Sequence, residues 1–98
     1  MIRDFFLGFI GLHILYHASK EPVYGLWPIE ELDHRGYKIS PGTLYPILHK
    51  LEKENLLKSL EENHEGKIRT YYKTATIGHQ TLEKAKEKIN ILVKEIMN

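Results

Sequence analysis

A mainly α domain carrying one small β-hairpin, of the α+β class, is predicted by three observations. Apolar residues recur at helical spacing in four separate stretches. A serine-proline pair opens the third stretch with a helix start signal. Between residues 57 and 73 the period falls from helical to two, on either side of a polar turn with Gly66.

The first helix is expected over residues 4–18. Phe5, Phe6, Phe9, Ile10, Leu12, Ile14, Leu15 and Tyr16 nearly encircle it, so it requires cover on two sides. Pro22 closes it by forcing Glu21 out of helical geometry. A second helix is expected over residues 24–35, with Leu26, Ile29 and Leu32 facing inward, Pro28 in the first turn and Gly36 as the terminating residue. In the third, Ser40 is the N-cap, Pro41 the first helical residue, and Ile39 staples against Leu44. Leu44, Ile47, Leu48 and Leu51 share its inner face; Gly42, Tyr45, Pro46, His49, Lys50 and Lys53 are left outside. Pro46 removes one backbone bond from the middle of that helix.

Strands follow over residues 57–62 and 67–73, the second with Lys67, Arg69, Tyr71 and Lys73 on one side and Ile68, Thr70 and Tyr72 on the other. A last helix over residues 76–97 carries Leu82, Ala85, Ile89, Leu92 and Ile96 at alternating spacings of three and four, with Val93 and Met97 widening the seam. At 1.5 Å per residue it is about 33 Å long, more than so small a core can cover, and a second subunit is the expected cover. The expected division is residues 1–75 as one compact unit and residues 76–98 as a dimerisation helix, moving as one body.

Composition narrows the function classes. The 98 residues support one core. With no cysteine there is neither a disulfide nor a thiolate zinc site, and a cytoplasmic location is expected. A net charge of +1 excludes a chain that coats nucleic acid by bulk electrostatics, so any such role depends on local placement, as in the run Lys67, Arg69 and Lys73 beside Glu61, Glu62 and Glu65. The first helix is expected to be a buried amphipathic helix rather than a secretory leader, because Asp4, His13 and His17 interrupt the leader pattern, and the apolar run is too short to span a bilayer. His13 and His17 stand four apart, as two imidazoles on one metal would, but two ligands make a weak site; partly buried polar residues are the expected reading, and no metal or other cofactor is expected. No nucleophile, base and orienting group occur in a catalytic order, and no catalytic residue is assigned.

Helix, helix, capped helix, hairpin and long helix, in that order, are a winged helix-turn-helix with an appended dimerisation helix. Within this frame Tyr24-Gly25, Arg35-Gly36-Tyr37, the run from Ser40 to Pro46 and the run from Leu51 to Leu57 resemble the PadR family of transcriptional regulators. Arg69-Thr70-Tyr71-Tyr72-Lys73 and Ile77-Gly78-His79 resemble its wing and the start of its last helix. The resemblance implies a repressor that binds double-stranded operator DNA as a homodimer.

By that implication and by their own chemistry, the DNA-binding residues are Ser40, Gly42, Thr43, Tyr45, His49 and Lys50 on the third helix, with Lys67 and Arg69 on the wing. A free helix N-terminus suits a phosphate, Ser40 and Thr43 add hydroxyls, and Gly42 allows close approach. The dimer interface is assigned to Phe5, Phe6, Phe9, Leu82, Ala85, Ile89, Leu92, Val93 and Ile96. Three features depart from the family pattern. Thr70 stands where a further basic residue is usual; Thr74-Ala75-Thr76 replaces the usual capping run, leaving Thr74 or Thr76 as the cap; and the last helix has no aromatic residue. Some family members bind aromatic ligands between subunits. Trp27 is expected in packing rather than as a ligand platform, and Phe5, Phe6 and Phe9 are the residues able to line a cavity for a small aromatic effector. The competing reading is a winged-helix module for protein contact, favoured if acidic neighbours interrupt the basic face.

Overall fold

The computed structural model describes residues 2–98 and contains four helices and three strands: α1 (Ile2–Lys20), β1 (Val23–Tyr24), α2 (Trp27–Asp33), α3 (Pro41–Lys53), β2 (Leu57–His64), β3 (Lys67–Thr74) and α4 (Thr76–Ile96). The strands form one antiparallel sheet in the order β1-β3-β2. The molecule measures 53 × 28 × 21 Å.

One core joins these elements. Ile10, Ile14, Leu15 and Ala18 of α1 meet Leu32 of α2, Leu44 and Leu48 of α3, Val23, Leu57 and Tyr72 of the sheet, and Leu82 of α4. Trp27 packs on its rim with its ring edge-on to His17, centroids 5.0 Å apart, as befits a packing residue. Ile39 also lies against the cluster that holds Leu44, where the staple was expected.

The second helix departs from expectation. Residues 23–24 are a strand, and the helix begins only at Trp27, with Pro28 in its first turn, and ends at Asp33. Two residues are too few for a periodic signal; β1 exists because Val23 pairs with Tyr72 and Tyr24 with Tyr71, far along the chain. Gly36 does take the left-handed conformation, at φ +87°, but it stands well past the helix end at Asp33 rather than directly after a helix running to Arg35.

The hairpin is longer than the alternation suggested. Its strands pair from Leu57↔Thr74 to His64↔Lys67, leaving a two-residue turn, Glu65-Gly66, with both residues at positive φ (52° and 83°). This matches the right-handed twist of the flanking strands, and Asn63 Oδ1 accepts the Gly66 N–H at 3.1 Å. Tyr72 is buried on the inner face, whereas Ile68, four residues nearer the tip, is 70% exposed because the wing has outrun the core.

Where β3 meets α4 the packing is closest. Only Ala75 separates the two elements, and its N–H donates to the Leu56 carbonyl at 2.9 Å. A Cβ on Gly78 would collide with that same carbonyl oxygen and with Thr74 Cγ2, so no side chain fits there. The expected threonine cap is absent. Ala75 occupies the N-cap position without a side-chain bond, and the Thr74 hydroxyl instead donates to the Leu15 carbonyl of α1 at 2.8 Å. Thr74 is buried and needs that partner.

Candidate nucleic-acid interface

Helix α3 starts as its sequence requires. Ser40 is extended at φ −97°, ψ 163°, and its carbonyl accepts the Leu44 N–H at 2.9 Å. Its hydroxyl makes no bond to the helix backbone, however, and faces the Thr43 hydroxyl at 3.4 Å. No side chain closes the first turn of α3; Pro41 has no N–H, the Thr43 and Leu44 N–H groups both donate to the Ser40 carbonyl, and the Gly42 N–H is the one left available to an anion.

Leu44 and Leu48 are fully buried, and the opposite side of α3 is exposed. At about 100° per residue, Gly42, Pro46, His49 and Lys53 form the outermost ridge, with Tyr45 on the side toward the wing and Lys50 on the side toward α1. Gly42, Tyr45, His49 and Lys50 are all exposed, while Thr43 is half-buried. Lys53, also exposed, falls on the same ridge as His49 by the helical repeat. Pro46 leaves α3 unbroken from Pro41 to Lys53, and because it has no N–H the Gly42 carbonyl loses its usual partner four residues on.

A hydrogen bond ties this helix to the wing. Ser59 of β2 donates its hydroxyl to the Glu52 carboxylate, and Tyr72 sits beneath, its phenol pushed above the ordinary range by burial, then by Glu52 and Tyr45. Glu52 therefore holds the base of the wing against α3, a role with no local sequence signal.

On the wing, Lys67 and Arg69 are exposed on the outer sheet face with Tyr71 and Lys73. Cross-strand pairing puts Lys67 opposite His64, Arg69 opposite Glu62, Tyr71 opposite Leu60 and Lys73 opposite Lys58. The row of cations is real but faces one carboxylate. Arg69 forms no ion pair with it among the described residues; its guanidinium lies over the Tyr24 ring, 5.0 Å from the centroid.

The residues assigned to a dimer interface fall into two groups. Leu82 is 6% exposed and belongs to the core of its own chain, and Ala85 is half-buried, so the seam starts inside the protomer. Beyond them every residue of 86–98 is exposed, including Ile89, Leu92, Val93 and Ile96. On α1, Phe5 (62%) and Phe6 (47%) are bare and Phe9 is half-buried, the three rings meeting edge-to-face around Phe5. A groove of about 540 Å³ between α1 and α4 is lined by Phe9, Tyr16, Leu82 and Ile89 among others; Phe5 and Phe6 do not line it. His13 and His17 stack at its edge, centroids 6.5 Å apart, and burial holds both below their ordinary pKa, helped at His13 by His17. Among the described residues no cluster of three metal-binding side chains occurs, and no helix is long and apolar enough to cross a membrane.

A short α2, a turn, an exposed α3 and a two-stranded wing on one core define the winged-helix class. Residues 14–84 match the family described as Transcriptional regulator PadR-like, and the chain belongs to that family. It is 38% identical over 96 residues to the transcriptional regulator Rv3488 of Mycobacterium tuberculosis, covering 98% of this chain and 90% of that protein. Its fold is similar to a PadR-like regulator from Bacillus cereus (TM-score 0.85, 30% identity, 93% and 90% of the two chains). A PadR family regulator from Eggerthella lenta is similar too (TM-score 0.82, 29% identity, 98% and 85%). The chain is thus a transcriptional regulator of winged-helix fold rather than an enzyme.

Proposed function

We propose that this protein binds operator DNA in a sequence-specific way, as a homodimer and as a repressor, with α3 in the major groove and the wing on the flanking backbone or minor groove. The observation that carries this reading is the joint exposure of Gly42, Tyr45, His49 and Lys50 at the open start of α3 and of Lys67 and Arg69 on the wing. Hydroxyl, ring and cation there suit phosphates and base edges, and Ser40 and Thr43 add donors at the first turn. The bare distal half of α4 and the phenylalanines of α1 supply the dimer surface, which would set two α3 helices about 34 Å apart, one DNA turn. A cytoplasmic site of action goes with this reading.

A gel-shift series over salt tests it with duplexes selected from a random pool. Affinity should fall steeply as salt rises, with a slope of about −0.9 for each phosphate contacted. The second reading, a protein-contact module, draws on Glu62 opposite Arg69 and on the neighbouring Glu61 and Glu65. Binding that is absent or flat in salt would favour it.

A further inference from the structure

The Tyr24-Gly25 pair has so far no task beyond pairing with β3, yet it meets the wing cation. The geometry points to Tyr24 as a positioning residue: its ring holds the Arg69 guanidinium in place to contact DNA. This rests on the DNA-binding reading above.

Pairing of Tyr24 with Tyr71 puts Tyr24 on the outer sheet face, diagonal to Arg69, which lies two residues before Tyr71 on β3. The guanidinium carbon is 5.0 Å from the Tyr24 centroid, inside the range of about 6 Å over which a ring face attracts a cation. The Tyr71 ring lies against Tyr24, centroids 6.0 Å apart and tilted by 54°, limiting the swing of the platform. Gly25 fastens the same corner: its N–H donates to the Thr70 carbonyl at 3.1 Å, between Arg69 and Tyr71.

Stacking and salt bridging would have opposite consequences for a DNA contact. A bond to Glu62, the residue directly opposite, would occupy the in-plane N–H donors and cancel the charge. Contact with a ring face neutralises nothing, so the full charge of Arg69 stays available to a phosphate. Arg69 takes the ring and forms no ion pair among the described residues. A long side chain fixed before binding loses less freedom when it binds, so the platform raises affinity without touching DNA.

The test is a double-mutant cycle on affinity for a selected duplex, using Tyr24→Leu, Arg69→Ala and the pair. Tyr24→Leu should weaken binding about 2- to 5-fold, the range of an exposed cation-ring contact. It should add nothing in the Arg69→Ala background. Tyr24→Phe keeps the ring and should bind within about 2-fold of the wild type. Arg69→Ala should lower the salt slope by about one phosphate contact, whereas Tyr24→Leu keeps the charge and most of the slope. Should Tyr24→Leu melt early, Tyr24→Ile serves in its place, since its β-branched side chain suits a strand but offers no ring, and it should show the same weakening. Losses that multiply, a Tyr24→Phe as weak as the ringless variant, or a stable ringless variant equal to wild type would overturn the inference while DNA binding stands. A wild-type protein that binds no duplex would remove both.

Discussion

The two halves of α4 share one amphipathic pattern and have opposite surroundings. The first half is bolted into the chain: Gly78 touches the Leu56 carbonyl, Leu82 is 6% exposed, and Ala85 is half-buried. In the second, all of residues 86–98 are exposed, with Ile96 at 66% and Met97 at 77%. A seam of apolar residues at heptad-like spacing is therefore not evidence of one interface. It serves the chain's own core until that core ends, and offers what remains to another surface.

Breaking the distal half should act on assembly alone. Replacing Ile89, Leu92 and Ile96 together with aspartate is expected to weaken association by about 1000-fold or more, roughly 4 kcal/mol, while the melting temperature of the isolated chain stays close to wild type. Light scattering across a concentration series checks this, and a triple variant that still dimerises would refute the assignment. Breaking the proximal half should act on the fold. Gly78→Ala forces a methyl group into backbone and should cost about 3 kcal/mol of stability, read as a lower urea midpoint at unchanged slope. An unaffected midpoint would mean that the junction relaxes freely.

Smaller changes sharpen the contrast. Thr74→Val removes the hydroxyl bonded to the Leu15 carbonyl but keeps the shape, and should cost about 1 kcal/mol in chemical denaturation. The smallest effect is that of pH. His13 and His17 have folded pKa values held below their usual 6.5, so the unfolded chain binds protons first on acidification. Their contribution is complete above about pH 6.5 and is lost as the pH falls from there toward the lowered values. The melting temperature should decline gently over that window, and His13→Gln with His17→Gln should flatten the curve.

What the sequence made legible was what neighbouring residues decide together. Ser40, Pro41 and Leu44 announce α3, and the alternation around Gly66 announces the wing, because caps and turns are local physics. What it concealed depends on distant partners. Tyr24 reads as a helix start until Tyr71 pairs with it, and Thr74 reads as a cap until the Leu15 carbonyl claims its hydroxyl across 59 residues. Leu82 looks like the rest of its seam, since no local feature marks where the core stops. At the candidate interface the exposed ridge of α3 was readable from helical period, whereas the hold of Glu52 on Ser59 and of Tyr24 on Arg69 was not.

With Ala75 as the sole residue between β3 and α4, the long rod and the wing have no joint between them. A rigid rod so mounted would act as a crank, delivering a torque applied at Ile96, about 30 Å out, to Thr74 and onward to the hairpin. Under the DNA-binding reading proposed above, whatever grips the free end of that rod would also aim the arginine.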